Sequence, residues 1–183
     1  MLKFLKNKKT DIFFILFFIV TFILATKLMP HLAISFSSVA GITVKADILL
    51  CSVISLGLLG GRKRAAYYGL VIGFIFDVAI GNPYAFSPLI FLICAYFAGP
   101  MCKPFSHRTP LSAMLVAAML VWTKSLLTFF FLIAVTKDVG LFSILFVGVL
   151  PEYVVNVLSS AIIFAIMRIL MAVFRIPTIE AGR

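Results

Sequence analysis

The chain has 183 residues, 63% of them hydrophobic and 12% charged, with a formal net charge of +10. Its mean hydropathy is +1.21. Soluble domains are about a quarter charged; a charged share of 12% cannot cover a globular surface of this size, and the apolar residues come in long runs, so lipid is the expected solvent and a core-rich soluble protein is set aside.

The N-terminus is basic and then apolar, as in a signal peptide, but no small-x-small cleavage site follows near Met29. It is therefore read as an uncleaved first span. Six hydrophobic segments follow in order: Ile12 to Met29, Ala46 to Gly60, Ala65 to Ile80, Tyr84 to Met101, Leu111 to Val135, and Leu141 to Val173. Each is near the roughly 20 residues needed to cross about 30 Å, although the second and third are short. The last is too long for one perpendicular helix. Pro151-Glu152 divides it, because proline removes a backbone hydrogen bond and crowds the preceding turn, so a short element to Leu150 and then the sixth span are expected. The segment "PHLAISFSSVAGITVKAD" between the first two spans reads as an outer-surface loop partly embedded at the interface. No internal repeat and no domain linker is present, so residues 1–183 are expected to form one integral membrane domain, an all-α bundle of six transmembrane helices.

Charge alternates from loop to loop. Lys3, Lys6, Lys8 and Lys9 precede the first span, Arg62, Lys63 and Arg64 separate the second and third, Lys103 and Arg108 the fourth and fifth, and Arg168, Arg175 and Arg183 lie near the C-terminus. The opposite loops hold only Lys45, and Lys137 beside Asp138. By the positive-inside bias both termini are cytoplasmic, and the excess charge reads as topology and contact with anionic lipid. Nucleic-acid binding is not expected, since no basic face carries base-reading or stacking groups.

In "GLVIGFIFDVAIGNPYAFSPLIFLICAYFAG", one carboxylate, Asp77, stands among apolar residues. Ala65, Gly69, Gly73, Asp77 and Gly81 are spaced by four, so Gly69, Gly73 and Asp77 share a helix face. Gly69-x3-Gly73 is a small-xxx-small pattern that lets backbones approach closely in lipid, as are Gly57-x3-Gly61 and Ala95-x3-Gly99. An ionised Asp near mid-bilayer costs about 2.5–3.5 kcal/mol on insertion scales and needs a partner. Lys124 lies at matching depth, both about 18–20 Å from the inner face, and Glu152 and Asn156 enter the same layer from the other side. Asp77, Lys124, Glu152 and Asn156 are thus a candidate intramembrane polar cluster, to be read as structural hydrogen-bonding groups, as a conduction or proton relay, or as a partner site. Gly69, Gly73, Gly81, Ala95 and Gly99 are expected to pack helices. Gly81 is expected to end the third span and Pro83 to start the fourth, with Asn82 and Pro83 in a tight outer turn.

No catalytic set is apparent: His31 and His107 fall in loops on opposite sides, and HExxH, GxSxG and phosphate-loop patterns are missing. Cys51, Cys94 and Cys102 make no CxxC and read as buried small hydrophobes, not as a disulfide framework or metal site. No metal, cofactor or enzyme activity is expected.

The stretch "RKRAAYYGLVIGFIFDVAIGNPYAFSPLIFLICAYFAG", Arg62 to Gly99, resembles the central region of the rod shape-determining protein MreD family: a basic loop, a Gly-rich span ending in Asp, a Gly-containing turn, and a span ending near Tyr96, Ala98 and Gly99. Length, the basic N-terminus, six spans and "MRILMAVFR" are similar as well. The resemblance implies a non-catalytic membrane subunit of the bacterial cell-elongation machinery. Its partners would be the bitopic protein MreC and, indirectly, the actin-like MreB and peptidoglycan synthases. The alternative is a substrate-binding subunit of an energy-coupling-factor vitamin transporter. The bulky first span "IFFILFFIVTFILATKLM" lacks the small-residue face such a subunit uses against its transporter partner.

Overall fold

A computed structural model describes residues 8–28, 34–36, 42–44, 47–81, 86–101, 109–135 and 150–176. They form six α-helices: α1 (Lys8–Ile23, continued by a π-helical turn Leu24–Leu28), α2 (Ile48–Gly60), α3 (Arg62–Ile80), α4 (Ser87–Met101), α5 (Pro110–Val135) and α6 (Leu150–Val173). Among the described residues, three stretches are long and apolar enough to cross a membrane: Lys9–Lys27, Pro110–Leu127 and Leu150–Val173. The helices α2 and α4 are shorter apolar helices of 13 and 15 residues.

Between α1 and α2, where the sequence suggests only a loop, the strands β1 (Ile34–Phe36) and β2 (Ile42–Val44) pair antiparallel with Ser35 opposite Thr43. Such a ribbon pairs the inward-facing backbone groups of the two strands and leaves their outer edges open.

The bundle is organised around α2. It packs on α1, α3, α4, α5 and α6, and every residue from Leu49 to Gly60 is buried. Its sequence ILLCSVISLGLLG is apolar all round, the pattern of a helix with no solvent face. A helix of this length spans about 20 Å, less than a bilayer core, and it lies enclosed by its neighbours instead of meeting lipid. Ser52 and Ser55, buried here, donate to the carbonyls of Ile48 and Cys51 one turn back. Cys51 and Cys94 are buried free thiols.

A single residue, Gly61, at φ 89°, turns the chain from α2 into α3. Arg62, Lys63 and Arg64 consequently form the first turn of α3 and are not a loop between spans. Cations at a helix N-terminus oppose the macrodipole. Arg64 is compensated by Asp11 at 3.6 Å, and Arg62 lies over the Tyr96 ring at 5.6 Å.

The largest helix contact is α3 against α4. In lipid, packing gains no hydrophobic driving force over acyl chains, so close van der Waals approach carries the contact. A Cβ on Gly69 would lie 2.8 Å from the Phe91 carbonyl oxygen, and one on Gly73 would lie 2.6 Å from Pro88 Cα. On α2, a Cβ at Gly57 would lie 2.6 Å from the Ala95 carbonyl oxygen and 2.8 Å from Ala98 Cβ. Ala95, Ala98 and Gly99 are buried. Thus α4 is gripped from both sides through residues with little or no side chain.

Gly81 differs from the packing role expected of it: it is exposed, in the left-handed region at φ 68°, and an added Cβ would meet nothing within 4 Å. It is the C-cap of α3, its N–H donating to the Asp77 and Val78 carbonyls. Asn82 and Pro83 lie outside the described residues. The following helix starts at Ser87, four residues beyond the proline expected to open it.

The start of α5 is a reciprocal cap: Ser112 N–H donates to Thr109 Oγ1 at 3.3 Å, and Thr109 N–H to Ser112 Oγ at 3.1 Å. Leu150 opens α6, with Pro151 in its first turn, where a missing N–H costs nothing. The short element expected before it lies outside the described residues.

Candidate functional site

The start of α2 is fixed by Asp47, whose Oδ1 accepts the Leu50 N–H at 3.0 Å, satisfying one of the four donors a helix leaves free at its N-terminus. The first turn of α6 carries Glu152, an acid placed favourably at the positive end of the helix dipole. Asn156 follows one turn later on the same face and is fully buried.

Lys124, on α5, reaches both acids. Its Nζ donates to Asp47 Oδ2 and to Glu152 Oε1, each at 3.0 Å. The Lys124 and Asp47 side chains are 17% and 16% exposed and Glu152 is 37% exposed, so the first ion pair is the better shielded. The Asp47 backbone N–H donates to Asn156 Oδ1 at 2.6 Å, and Cys51 Sγ donates to the Asn156 carbonyl at 3.4 Å. Trp122 and Tyr153 meet edge to face beside the cluster, at 5.5 Å. Asp47 is therefore the hub that joins α2, α5 and α6.

The charges nearly close. Two carboxylates carry −2, the ammonium +1, and two helix N-termini contribute roughly +0.5 each. An arrangement that sums to about zero is what a low-dielectric layer tolerates. One group remains unmet: Asn156 Nδ2 is buried without a hydrogen-bond partner among the described residues. Chemically, the cluster is a lock that holds three helices in register, with its lysine enclosed by two acids rather than presented as a nucleophile.

Of the four residues expected to cluster, the structure brings Lys124, Glu152 and Asn156 together and keeps Asp77 elsewhere. The carboxylate of Asp77 accepts the Ser87 N–H at 3.0 Å. Asp77 sits in the last turn of α3, where the dipole disfavours an acid, but its charge is delivered to the N-terminus of α4, where the dipole favours one. Gly73 against Pro88 and Gly69 against Phe91 continue the same row down the interface. Matching depth did not make Asp77 and Lys124 neighbours, because α3 packs on α2 and α4 while α5 packs chiefly on α6.

The residue that sequence reasoning missed is Asp47. It ends the segment read as a loop, yet an Asp directly before the run ILLCSV is an N-cap signature. A second missed residue is Asp11, buried at the opposite end of the bundle. Its Oδ1 accepts the Tyr68 hydroxyl at 3.3 Å and pairs with Arg64. An acid in the first turn of α1, on the end that carries the Arg-Lys-Arg run, was the available signal. Among the described residues no group of three or more His, Cys, Asp or Glu side chains is placed to hold a metal ion. His31, His107 and Cys102 lie outside the described residues.

A family model described as rod shape-determining protein MreD matches residues 8–176, nearly the whole chain. No curated protein and no solved structure matches it.

Proposed function

We propose, because the chain belongs to the rod shape-determining protein MreD family, that this membrane protein is a non-catalytic, multi-pass subunit of the bacterial cell-elongation complex. In this reading it sits in the cytoplasmic membrane with both termini inside. It works beside a bitopic MreC-like protein and, indirectly, with an MreB-like filament and the peptidoglycan synthases. The family match over residues 8–176 is the observation that carries the reading.

The geometry supports it in two ways. Asp11 with Arg64, and Phe13 with Phe174 at 5.7 Å, gather the starts of α1 and α3 and the end of α6 at one end of the bundle, so the basic ends meet on a single side, as positive-inside orientation requires. Described polar side chains in the bundle tie helices to one another, the mark of a scaffold whose shape is its contribution: Asp77 to α4, Asp47 and Glu152 to Lys124, Asp11 to α3.

The experiment is complementation in a rod-shaped host depleted of its own copy. The full chain is expected to restore rods and to co-purify with the MreC-like protein, while reporter fusions after Arg64 and Arg183 read as cytoplasmic and those after Ser38, Asn82 and Asp138 as external. Failure of the chain to restore rods, where re-expression of the host's own copy does restore them, would overturn the role. A cytoplasmic signal at Ser38 would overturn the six-span topology.

A further inference from the structure

Helix α1 packs on α2 and stands apart from α6. Between α1 and α6 runs a groove of about 850 Å³. Its walls are apolar, with Leu16 and Val20 on α1 facing Ile162 and Ile166 on α6, and Phe174 closing the end where it meets Phe13. Lys9 stands at that same end and is exposed. Arg175, also exposed, lies between Phe174 and Ile176, both of which line the groove.

Neither basic residue has an ion pair among the described residues. The one acid in the first turn of α1, Asp11, is two residues from Lys9 and so on the opposite side of the helix, where Tyr68 and Arg64 hold it. Lys9 thus brings positive charge to the mouth of the groove, and Arg175 adds to it from the adjoining turn after α6, neither of them ion-paired among the described residues. The groove's volume is that of a small-ligand site, which runs about 300–1,000 Å³.

We infer that this groove is a lipid site: it holds an acyl chain of an anionic glycerophospholipid, with the phosphate between Lys9 and Arg175. Apolar walls alone do not choose a lipid, since acyl chains are as apolar as the leucines around them. The preference for an anionic headgroup comes from the two cations, each lowering the free energy of an anionic surface group by an amount equal to about fivefold in affinity. The inference rests on the chain being a membrane protein and is independent of its role in elongation.

The test uses the full chain, purified in neutral detergent and supplied with equal amounts of phosphatidylglycerol and phosphatidylcholine of the same chain length. Native mass spectrometry is expected to show phosphatidylglycerol retained about 25-fold over phosphatidylcholine, the product of two fivefold effects. Lys9→Gln and Arg175→Gln each lower that preference about fivefold, and the double variant brings it to parity. Val20→Trp, which fills the groove, reduces retention of both lipids. In case that variant folds poorly, wild-type chain is also labelled with phosphatidylglycerol carrying a diazirine on its acyl chain, and the adducts are expected on α1 and α6. Equal retention of the two lipids by the wild type, or adducts confined to other helices, overturns the site. A two-chain species that Val20→Trp dissociates also overturns it, by making the groove a face between copies. Complementation in cells does not enter these readouts, so failure here and failure of the elongation role are separately visible.

Discussion

The α3–α4 hairpin and the Asp47–Lys124–Glu152 cluster hold their helices by opposite means. In the hairpin, backbones touch because Gly69 and Gly73 have no side chain to keep them apart, and the one carboxylate present caps a helix end. In the cluster, long charged side chains reach across gaps between three helices. The hairpin joins residues close in the chain, ten positions for Asp77 and Ser87. The cluster joins residues 77 positions apart for Asp47 and Lys124, and 109 for Asp47 and Asn156. Small-residue contacts give a lipid-solvated protein its local pairings; sparse charged contacts choose which of those pairings become neighbours.

Lys124→Met tests the cluster hardest. It leaves the well-shielded Asp47 carboxylate without its cation, and breaking such a pair costs about 3–5 kcal/mol. The same change at the more exposed Glu152 arm is worth only about 0–1 kcal/mol. Denaturant titration in micelles is expected to show the loss, and Asp47→Asn in the same chain to recover part of it, with a coupling of about 0.5–3 kcal/mol. Coupling of Lys124→Met to Asp77→Asn instead would show that the two regions are one.

Gly73→Leu tests the hairpin. A side chain driven into Pro88 Cα must push the two backbones apart, at a cost of about 1–3 kcal/mol. Unfolding midpoints and pull-down of the MreC-like protein are both expected to fall. A stable, assembly-competent variant would remove backbone approach as the basis of the hairpin.

Gly81→Ala places a Cβ in the left-handed region with free space around it, so only conformational strain acts, about 1 kcal/mol. The smallest effect is expected from Asp77→Asn. The amide oxygen still accepts the Ser87 N–H, and the charge on the α4 dipole is lost, about 0.3–1 kcal/mol. A loss as large as that of Lys124→Met would mean that Asp77 belongs to an ion pair after all.

Much of the hairpin was legible. Gly69, Gly73 and Asp77 at a spacing of four announce one face, and that face meets Phe91, Pro88 and Ser87. The role of Asp77 was less so, because the depth argument placed it near mid-bilayer when it stands in the last turn of α3, with a helix N-terminus in reach. The sequence reads Gly81 both as packing, from its place in the row of four, and as the end of the third span; it is exposed and caps α3. For the cluster, depth suggests one layer for Lys124, Glu152 and Asn156, which the structure brings together through Asp47. Depth could not supply Asp47, which lay at the end of a segment read as loop and acts from a position where a cap and an ion pair coincide.

By itself the sequence determined that this is a membrane protein, that its apolar segments are helical, which helix faces are small, and which ends are basic. These follow from composition and from periodicity along one helix, and need no knowledge of neighbours. Only the tertiary structure decided that α2 is enclosed, that α4 is gripped between α2 and α3, that Lys124 belongs to Asp47 and not to Asp77, and that α1 and α6 leave a groove with a charged mouth. The reason is physical. Periodicity fixes a residue's depth and the face it occupies on its own helix. The order of helices around the bundle is set by a few contacts between distant segments, because in lipid an apolar face gains little by choosing one apolar neighbour over another.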